Sequence, residues 1–555
     1  MISVGTIADS LGGSPFAKVN DNIDNTRLMK TWLQNQEHIA PREASQFLPT
    51  RLLDLRAFPQ SEDVRLVRSR DIQAAATPPY LALSHCWGGD VPVQLKKETV
   101  ETWMESGIPV DKLPKTFQDA VRITKQLGFR YLWIDSMSIV QNSPEDWKYE
   151  ASLMAEVYGK SYCTLAALSS KNSSEGCRLN ESIQSSLNTP YVEVENEGDS
   201  TTPRVRIFKE LPRTWIEEFN GRPDESVAET DSPLRTRAWV LQEKELSNCT
   251  IYFGKHQLLW ENQGFKATSQ IPWEEIRPKK KSDTPRMVYI TNKGKKMQGG
   301  PPRPWFELVE DYTSRSLSFP GDKLIAFSGL ARKFEQYRGH YFGGIWSTDF
   351  LDGLLWRAKD DSASRPKYLA PSWSWASLMG PVTYDSLRIE PDKDYAHFEN
   401  PEDVYDGLHT IDIKSVGVSL EDNTKPYGDI REGRLILGGV RCIKVECGGI
   451  GVVHFPDGGQ PLLRNERAIG CFYPDIASEA ALVKEVHCVA LHSESIWSLD
   501  RHEFRLKQDR EMISLVMGIV VAKLPTSREY TRIGLARWID ESLFDSVQLT
   551  TIEIV

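Results

Sequence analysis

The chain has 555 residues, 40% of them hydrophobic and 26% charged, with 16 tryptophans and a formal net charge of −10. That length gives room for about two to four domains with buried cores, and the composition excludes both a disordered chain and a small stapled scaffold. The acidic balance excludes a general polyanion-binding surface, which needs clustered Lys and Arg, so no nucleic-acid partner is expected.

The eight cysteines are scattered. Only Cys442 and Cys447 lie close together, without a second pair at zinc-ligand spacing, so neither a structural zinc nor a prosthetic group is expected. The opening stretch MISVGTIADSLGG has no basic and then apolar leader pattern, and no run of about 18 apolar residues occurs. A cytoplasmic protein with free thiols and no membrane partner is the expectation.

In chain order, residues 1–77 read as a polar N-terminal arm with helical hints in NTRLMKTWLQNQ and an extended piece, TRLLDLR. At Tyr80 the character changes. YLALSHCW is a short apolar run that ends at Gly88 and Gly89, as a buried strand running into a tight turn would. LPKTFQDAVRITKQLG then spaces Phe117, Ala120, Val121, Thr124 and Leu127 along one helical face and stops at Gly128. YLWIDSMSIV reads as a second buried strand, followed by a helix and a third strand, SYCTLAAL. Strands alternating with helices predict an α/β domain over 78–270, a parallel sheet flanked by helices.

Within that domain, TIYF and HQLLWE form a hairpin candidate around Gly254 and Lys255. Residues 271–304 read as a basic loop or linker, with nuclear import or docking as its other reading. Residues 305–400 look like a helical or mixed extension. From 401 to 555, runs such as GRLILGGVRCIKVEC and ISLVMGIVVAKL predict a mixed, largely antiparallel β C-terminal region.

One glutamate breaks the pattern. The helix that opens at Ser143-Pro144-Glu145-Asp146 has a serine N-cap, proline at its first position and an early carboxylate. At about 100° per residue, Trp147, Ala151, Met154, Val157 and Tyr158 make one apolar stripe, and Glu150 projects inside it. A carboxylate facing a core must be paired, protonated or set in a cavity. Glu150 is therefore either a structural group, in a buried ion pair or capping a neighbouring loop, or a catalytic or ligand-binding carboxylate.

Open α/β sheets bind ligands at the carboxyl ends of their strands, and that edge collects Ser84, His85, Trp87, Asp135 and Ser138. Trp87 and Trp147 are each either core residues or surfaces on which a ring could stack. No P-loop, G-x-G-x-x-G or G-x-S-x-G motif is present.

YLALSHCWGG, the block from LPKTFQDAV to SYCTLAAL, and PLRTRAWVLQEKELSNCTIYFGKHQLLWEN together resemble the three blocks of the fungal heterokaryon incompatibility (HET) domain family. The resemblance spans roughly residues 78–262, with GDKLIAFSGLA and PSWSWAS similar to downstream segments of longer members. It implies a fungal protein with a fold like that of Toll/interleukin-1 receptor (TIR) domains, linked to non-self recognition and programmed cell death. It further implies cleavage of NAD+ as substrate, with the catalytic glutamate falling on Glu150 in DWKYE, and self-association that completes the site. Ser84, His85, Trp87, Asp135, Ser138 and Trp147 are then the candidates for nucleotide binding. Arg237, Trp239, Gln242 and Glu243 match the third block and are read mainly as structural. Ser138 and Asn262 stand where the family commonly has cysteine, either as neutral substitutions or as marks of changed activity. Two alternatives remain open: a non-enzymatic recognition and oligomerisation scaffold, and an enzyme of fungal secondary metabolism.

Overall fold

The computed structural model describes residues 2–6, 25–39, 46–74, 76–89, 93–177, 191–194, 205–209, 232–255, 258–262, 266–269, 303–365, 367–384, 411–447, 459–465, 467–480, 483, 486–497, 512–525 and 527–555. The chain divides into two compact units, Met1–Asn292 and Lys293–Val555.

The first unit is built on an eight-stranded sheet. Its strands are β1 (Arg51–Asp54), β2 (Arg65–Arg68), β3 (Tyr80–Ser84), β4 (Tyr131–Ile134), β5 (Cys163–Ala166), β6 (Cys249–Phe253), β7 (Leu258–Asn262) and β8 (Lys266–Thr268). They lie in the order β8-β7-β6-β5-β3-β4-β1-β2. The expected parallel core is present: β3 pairs in parallel with β4 and β5, and β5 with β6. The edges differ from a purely parallel sheet, because β7 and β8 on one side and β1 and β2 on the other pair antiparallel. The hairpin expected around Gly254 and Lys255 is the β6–β7 pair. The segment 1–77, expected to be a lead-in arm, instead supplies β1 and β2, because the short extended piece around Leu52 and Leu53 finds an open edge beside β4.

Helices cover both faces. They are α1 (Asn25–Ile39), α2 (Val100–Glu105), α3 (Lys115–Leu127), the single turn α4 (Asp135–Ser138), α5 (Pro144–Lys160) and α6 (Ala238–Leu246). On one face α1 and α3 pack Leu28, Trp32, Phe117 and Val121 against Leu81, Leu83, Leu132 and Ile134. On the other, α5 and α6 bring Met154, Val157, Tyr158 and Trp239 against Tyr80, Ala82 and Trp133. The alternation along β3 is the strand period of two, which sends successive side chains to opposite faces.

The end of α3 and the start of α5 are those the sequence predicts. Ser143 caps α5 by accepting a hydrogen bond from the Asp146 amide, with Pro144 at the first position. Gly128 closes α3 at φ 97°, a conformation that costs glycine nothing. Tyr80 Oη donates to the Val157 carbonyl at 2.7 Å and Tyr158 Oη to the Leu83 carbonyl at 3.2 Å, so α5 is locked in register along β3.

The second unit holds a nine-stranded sheet. Within it Tyr530–Asp540, Arg467–Pro474, Gln460–Arg464, Cys442–Cys447, Val486–Trp497 and Met512–Lys523 pair in succession, and the last pairs back onto the first. This closes an antiparallel barrel, whose interior is filled by Ile443, Leu462, Phe472, Val516 and Ile539 among others. The extension expected over 305–400 and the β-rich region belong to this one compact unit. Arg303–Pro304 open the helix Arg303–Thr313; the rest of the basic segment 271–302 lies outside the described residues. Among the described residues, no helix is long and apolar enough to cross a membrane.

Candidate functional site

The chain leaves β3, passes through α3 on one face to β4, then returns over β3 through α5 on the other face to β5. The direction of the connections reverses between β3 and β5, and at such a point the loops diverge and leave a crevice at the carboxyl ends of the strands. Ser84 to Trp87 leave β3 at this edge, and Asp135 to Ser138 leave β4 there. Two polar clusters form.

The first surrounds the end of β3. Trp87 Nε1 donates to Asp135 Oδ2 at 2.7 Å, and the Ser136 amide donates to Asp135 Oδ1 at 2.7 Å. His85 Nδ1 lies 3.8 Å from Asp135 Oδ1, and its ring meets Phe117 edge-on at 5.0 Å. Burial lowers the His85 pKa from 6.5 to about 4, against the pull of Asp135, so the ring is neutral at pH 7. Arg237, at the start of α6, donates through Nη1 to the His85 carbonyl. Glu243, six residues further along α6 and buried, has its pKa raised to about 7 by burial, with Arg237, Ser84 and Tyr158 pulling the other way. Burial also pushes the Cys86 thiol up to about 11, which removes it as a thiolate nucleophile.

The polar atoms of this cluster are incompletely paired. Among the described residues, Ser84 Oγ, Ser136 Oγ, both ring nitrogens of His85 and Glu243 Oε2 are buried without a hydrogen bond of ordinary geometry. Ser84 stands near enough to Glu243 to lower its pKa, yet the two do not close a bond of normal length and angle.

The second cluster holds Glu150, which is 2% exposed. Its partner is Arg51 at the start of β1, which the antiparallel pairing brings to the carboxyl end of β4. Arg51 Nη2 lies 3.3 Å from Glu150 Oε1 and 2.5 Å from Asp146 Oδ2, while Arg51 Nε donates to the Ser138 carbonyl at 2.6 Å. Asp146 also accepts from the Val140 amide at 2.8 Å. Burial raises the Glu150 pKa above 4.5, partly offset by Thr50 and Arg51.

Of the residues singled out from the sequence, Ser84, His85, Trp87 and Asp135 come together in the first cluster. Glu150 and the backbone of Ser138 belong to the second. Trp147 packs edge-on against Trp239 at 6.4 Å, with neither ring wholly buried. Asn262 ends β7 opposite Cys249. Sequence reasoning missed Arg51 altogether, because a lone arginine ahead of LLDL carries no signal of its own. Asp146 was visible only as a helix-start carboxylate. Glu243 and Arg237 had a signal, since both match the third block of the family resemblance, but their role depends on which strand α6 covers. Among the described residues no three His, Cys, Asp or Glu side chains converge as metal ligands would.

Residues 80–243 match the family model described as heterokaryon incompatibility protein (HET). No curated protein and no solved structure matches the chain.

Proposed function

Since residues 80–243 form a domain of the heterokaryon incompatibility family, we propose that the protein acts in heterokaryon incompatibility as an NAD+ glycohydrolase, with Glu150 as the catalytic carboxylate. The observation that carries this reading is a charge count. Two carboxylates, Asp146 and Glu150, share the single guanidinium of Arg51, and Asp146 holds the shorter contact. One negative charge is left over when Glu150 is ionised, in a largely desolvated place where it interacts strongly with a cation.

NAD+ supplies that cation. When the glycosidic C1′–N bond breaks, its electron pair leaves with nicotinamide, and the ribose becomes an oxocarbenium-like cation until water adds at C1′ and releases a proton. A fixed carboxylate lowers the energy of that cation, as carboxylates do in glycoside cleavage. Asp135 and Trp87 border the same sheet edge, with half-buried side chains that a nucleotide could touch. A TIR-like reading of the domain, in which self-association completes the site, agrees with a parallel core order β4-β3-β5-β6.

A second reading has a specific observation behind it. Arg51 ties β1, the α4 turn and α5 together, which is what a purely structural ion pair in a recognition scaffold would do. Nicotinamide release from NAD+, followed over a range of protein concentrations with Glu150→Ala alongside, separates the two. Release that rises steeply with concentration and vanishes in a folded Glu150→Ala variant supports the glycohydrolase. Equal release by that variant removes Glu150 from catalysis, and no release by either protein favours the scaffold.

A further inference from the structure

The chemistry of Glu150 leaves Ser84, His85 and Glu243, at the end of β3, without a task. A buried hydroxyl or carboxylate oxygen without a partner costs about 1–3 kcal/mol. Native structures rarely tolerate several in one place unless a ligand or ordered water completes them. Here Ser84 Oγ and Glu243 Oε2, close enough for Ser84 to lower the Glu243 pKa, are both open on the α6 side of β3, and Ser136 Oγ and both His85 nitrogens are open near the same strand end. The exposure is graded as a pocket requires: Ser84, His85 and Glu243 are buried, whereas Trp87 and Asp135 are half-buried and form the outer side.

The charges narrow the ligand. Asp135 and Glu243 oppose a phosphate, and Arg237 opposes an ammonium group. His85 is neutral, so it offers one donor and one acceptor. What such a mixed set accepts is a group that donates and accepts at the same atom, and a hydroxyl does both. A carboxylate oxygen beside a serine hydroxyl, with their mutual bond left open, matches a pair of adjacent hydroxyls. We propose that Ser84 and Glu243 form a subsite for the vicinal diol of a ribose, with Trp87 and Asp135 at its mouth. The proposal rests on the reading of the substrate as a nucleotide.

The titration of Glu243 gives the subsite a pH signature. The groups facing its carboxyl are Ser84 from β3, Asp135 from the end of β4, Tyr158 from α5 and Arg237 from the start of α6, and the Cys86 thiol feels its charge. Burial by the surrounding protein holds its pKa at about 7. Hydroxyls donating to the carboxylate favour its ionised form, so diol binding strengthens as the pH rises through 7. His85 stays neutral over that range.

The test is calorimetric titration of the full chain with ADP-ribose and with the analogue lacking the 2- and 3-hydroxyls of its terminal ribose, at pH 6 and pH 8. The wild type is expected to prefer the diol ligand by about tenfold or more, since a site built to bond hydroxyls discriminates against their loss. The preference should be larger at pH 8. In Ser84→Ala and Glu243→Gln it should fall to about twofold or less, and Glu243→Gln should also lose the pH dependence. Near-ultraviolet circular dichroism establishes that each variant is folded; Ser84→Ala removes only one hydroxyl and keeps the test alive if Glu243→Gln fails to fold. No binding of ADP-ribose by the wild type, no preference, or an unchanged preference in a folded variant overturns the proposal. Glu150→Gln separates the two assignments. If it releases nicotinamide at the wild-type rate while the diol preference holds, the catalytic role falls and the subsite stands. If turnover needs Glu150 but the preference is missing, the subsite falls alone.

Discussion

Both units bury charge, and they do so in opposite ways. In the second unit Arg532 is 0% exposed and fully engaged. Its Nε and Nη2 reach Asp475 at 3.1 and 3.2 Å, its Nη1 and Nη2 donate to the carbonyls of Leu354 and Trp356, and its guanidinium lies 3.6 Å from the Trp356 ring centroid. That arginine fastens the stretch around Leu354 and Trp356 to the barrel. In the first unit, Ser84, His85 and Glu243 are also buried but keep open valences, and Glu150 shares the Arg51 guanidinium with a second carboxylate. A closed buried network acts as a fastening, whereas an open one is what the proposed subsite requires.

The largest effect that could break this contrast lies in the closed network. Arg532→Ala strands the Asp475 carboxylate and the two carbonyls, and should destabilise the second unit by about 3–5 kcal/mol. Urea unfolding of the full chain reads this, and a loss below about 1 kcal/mol would mean that the network is not a fastening.

Next comes Glu150→Gln, which keeps the shape and removes the surplus charge. Nicotinamide release should drop by about 10²-fold to 10³-fold, the range for losing one preorganised electrostatic partner, with the far-ultraviolet dichroism unchanged. In the wild type, activity should decline on the acid side at a pH above the ordinary glutamate range, because burial raises the pKa of the carboxylate that must be ionised. An acid limb at or below 4.5 would contradict that environment.

The open network has a stability signature that the closed one lacks. The Glu243 pKa rises from 4.5 to about 7 on folding, so its contribution is fully present below 4.5 and is lost as the pH rises through 7. Glu243→Gln should therefore leave stability near pH 4 little changed and raise it at pH 8, by at most roughly 3 kcal/mol from the size of that shift. Thermal unfolding at the two pH values measures it, and a variant with the wild-type pH slope would show that Glu243 is not desolvated. The smallest effect is Ser143→Ala. Removing the cap of α5 should cost about 1 kcal/mol, visible as a small shift of the urea midpoint, and a null result would show that Pro144 alone sets the helix start.

Much of the first unit was legible in the sequence because its signals are local. YLALS, YLWI and CTLA are apolar runs of strand length, and α3 and α5 carry their own start and stop residues. The edge strands were harder, since RLLD is too short to distinguish from an extended arm until β4 offers it hydrogen bonds. Glu150 was legible as an anomaly, but its alternatives were not separable. The choice between paired and open depended on Arg51, 99 positions away in the chain.

The sequence by itself determined that residues near 80–166 form alternating parallel strands and helices, where those helices begin and end, and that one carboxylate faces inward. Periodicity and capping act over a few residues and survive without any knowledge of neighbours. Only the tertiary structure decided the strand order, and with it the two clusters at the carboxyl edge. Arg237 meets the His85 carbonyl across 152 positions of sequence, and Glu243 reaches Ser84 because α6 covers the face to which that strand end turns. Contacts of that kind follow from how sheet and helices pack, which no local pattern encodes.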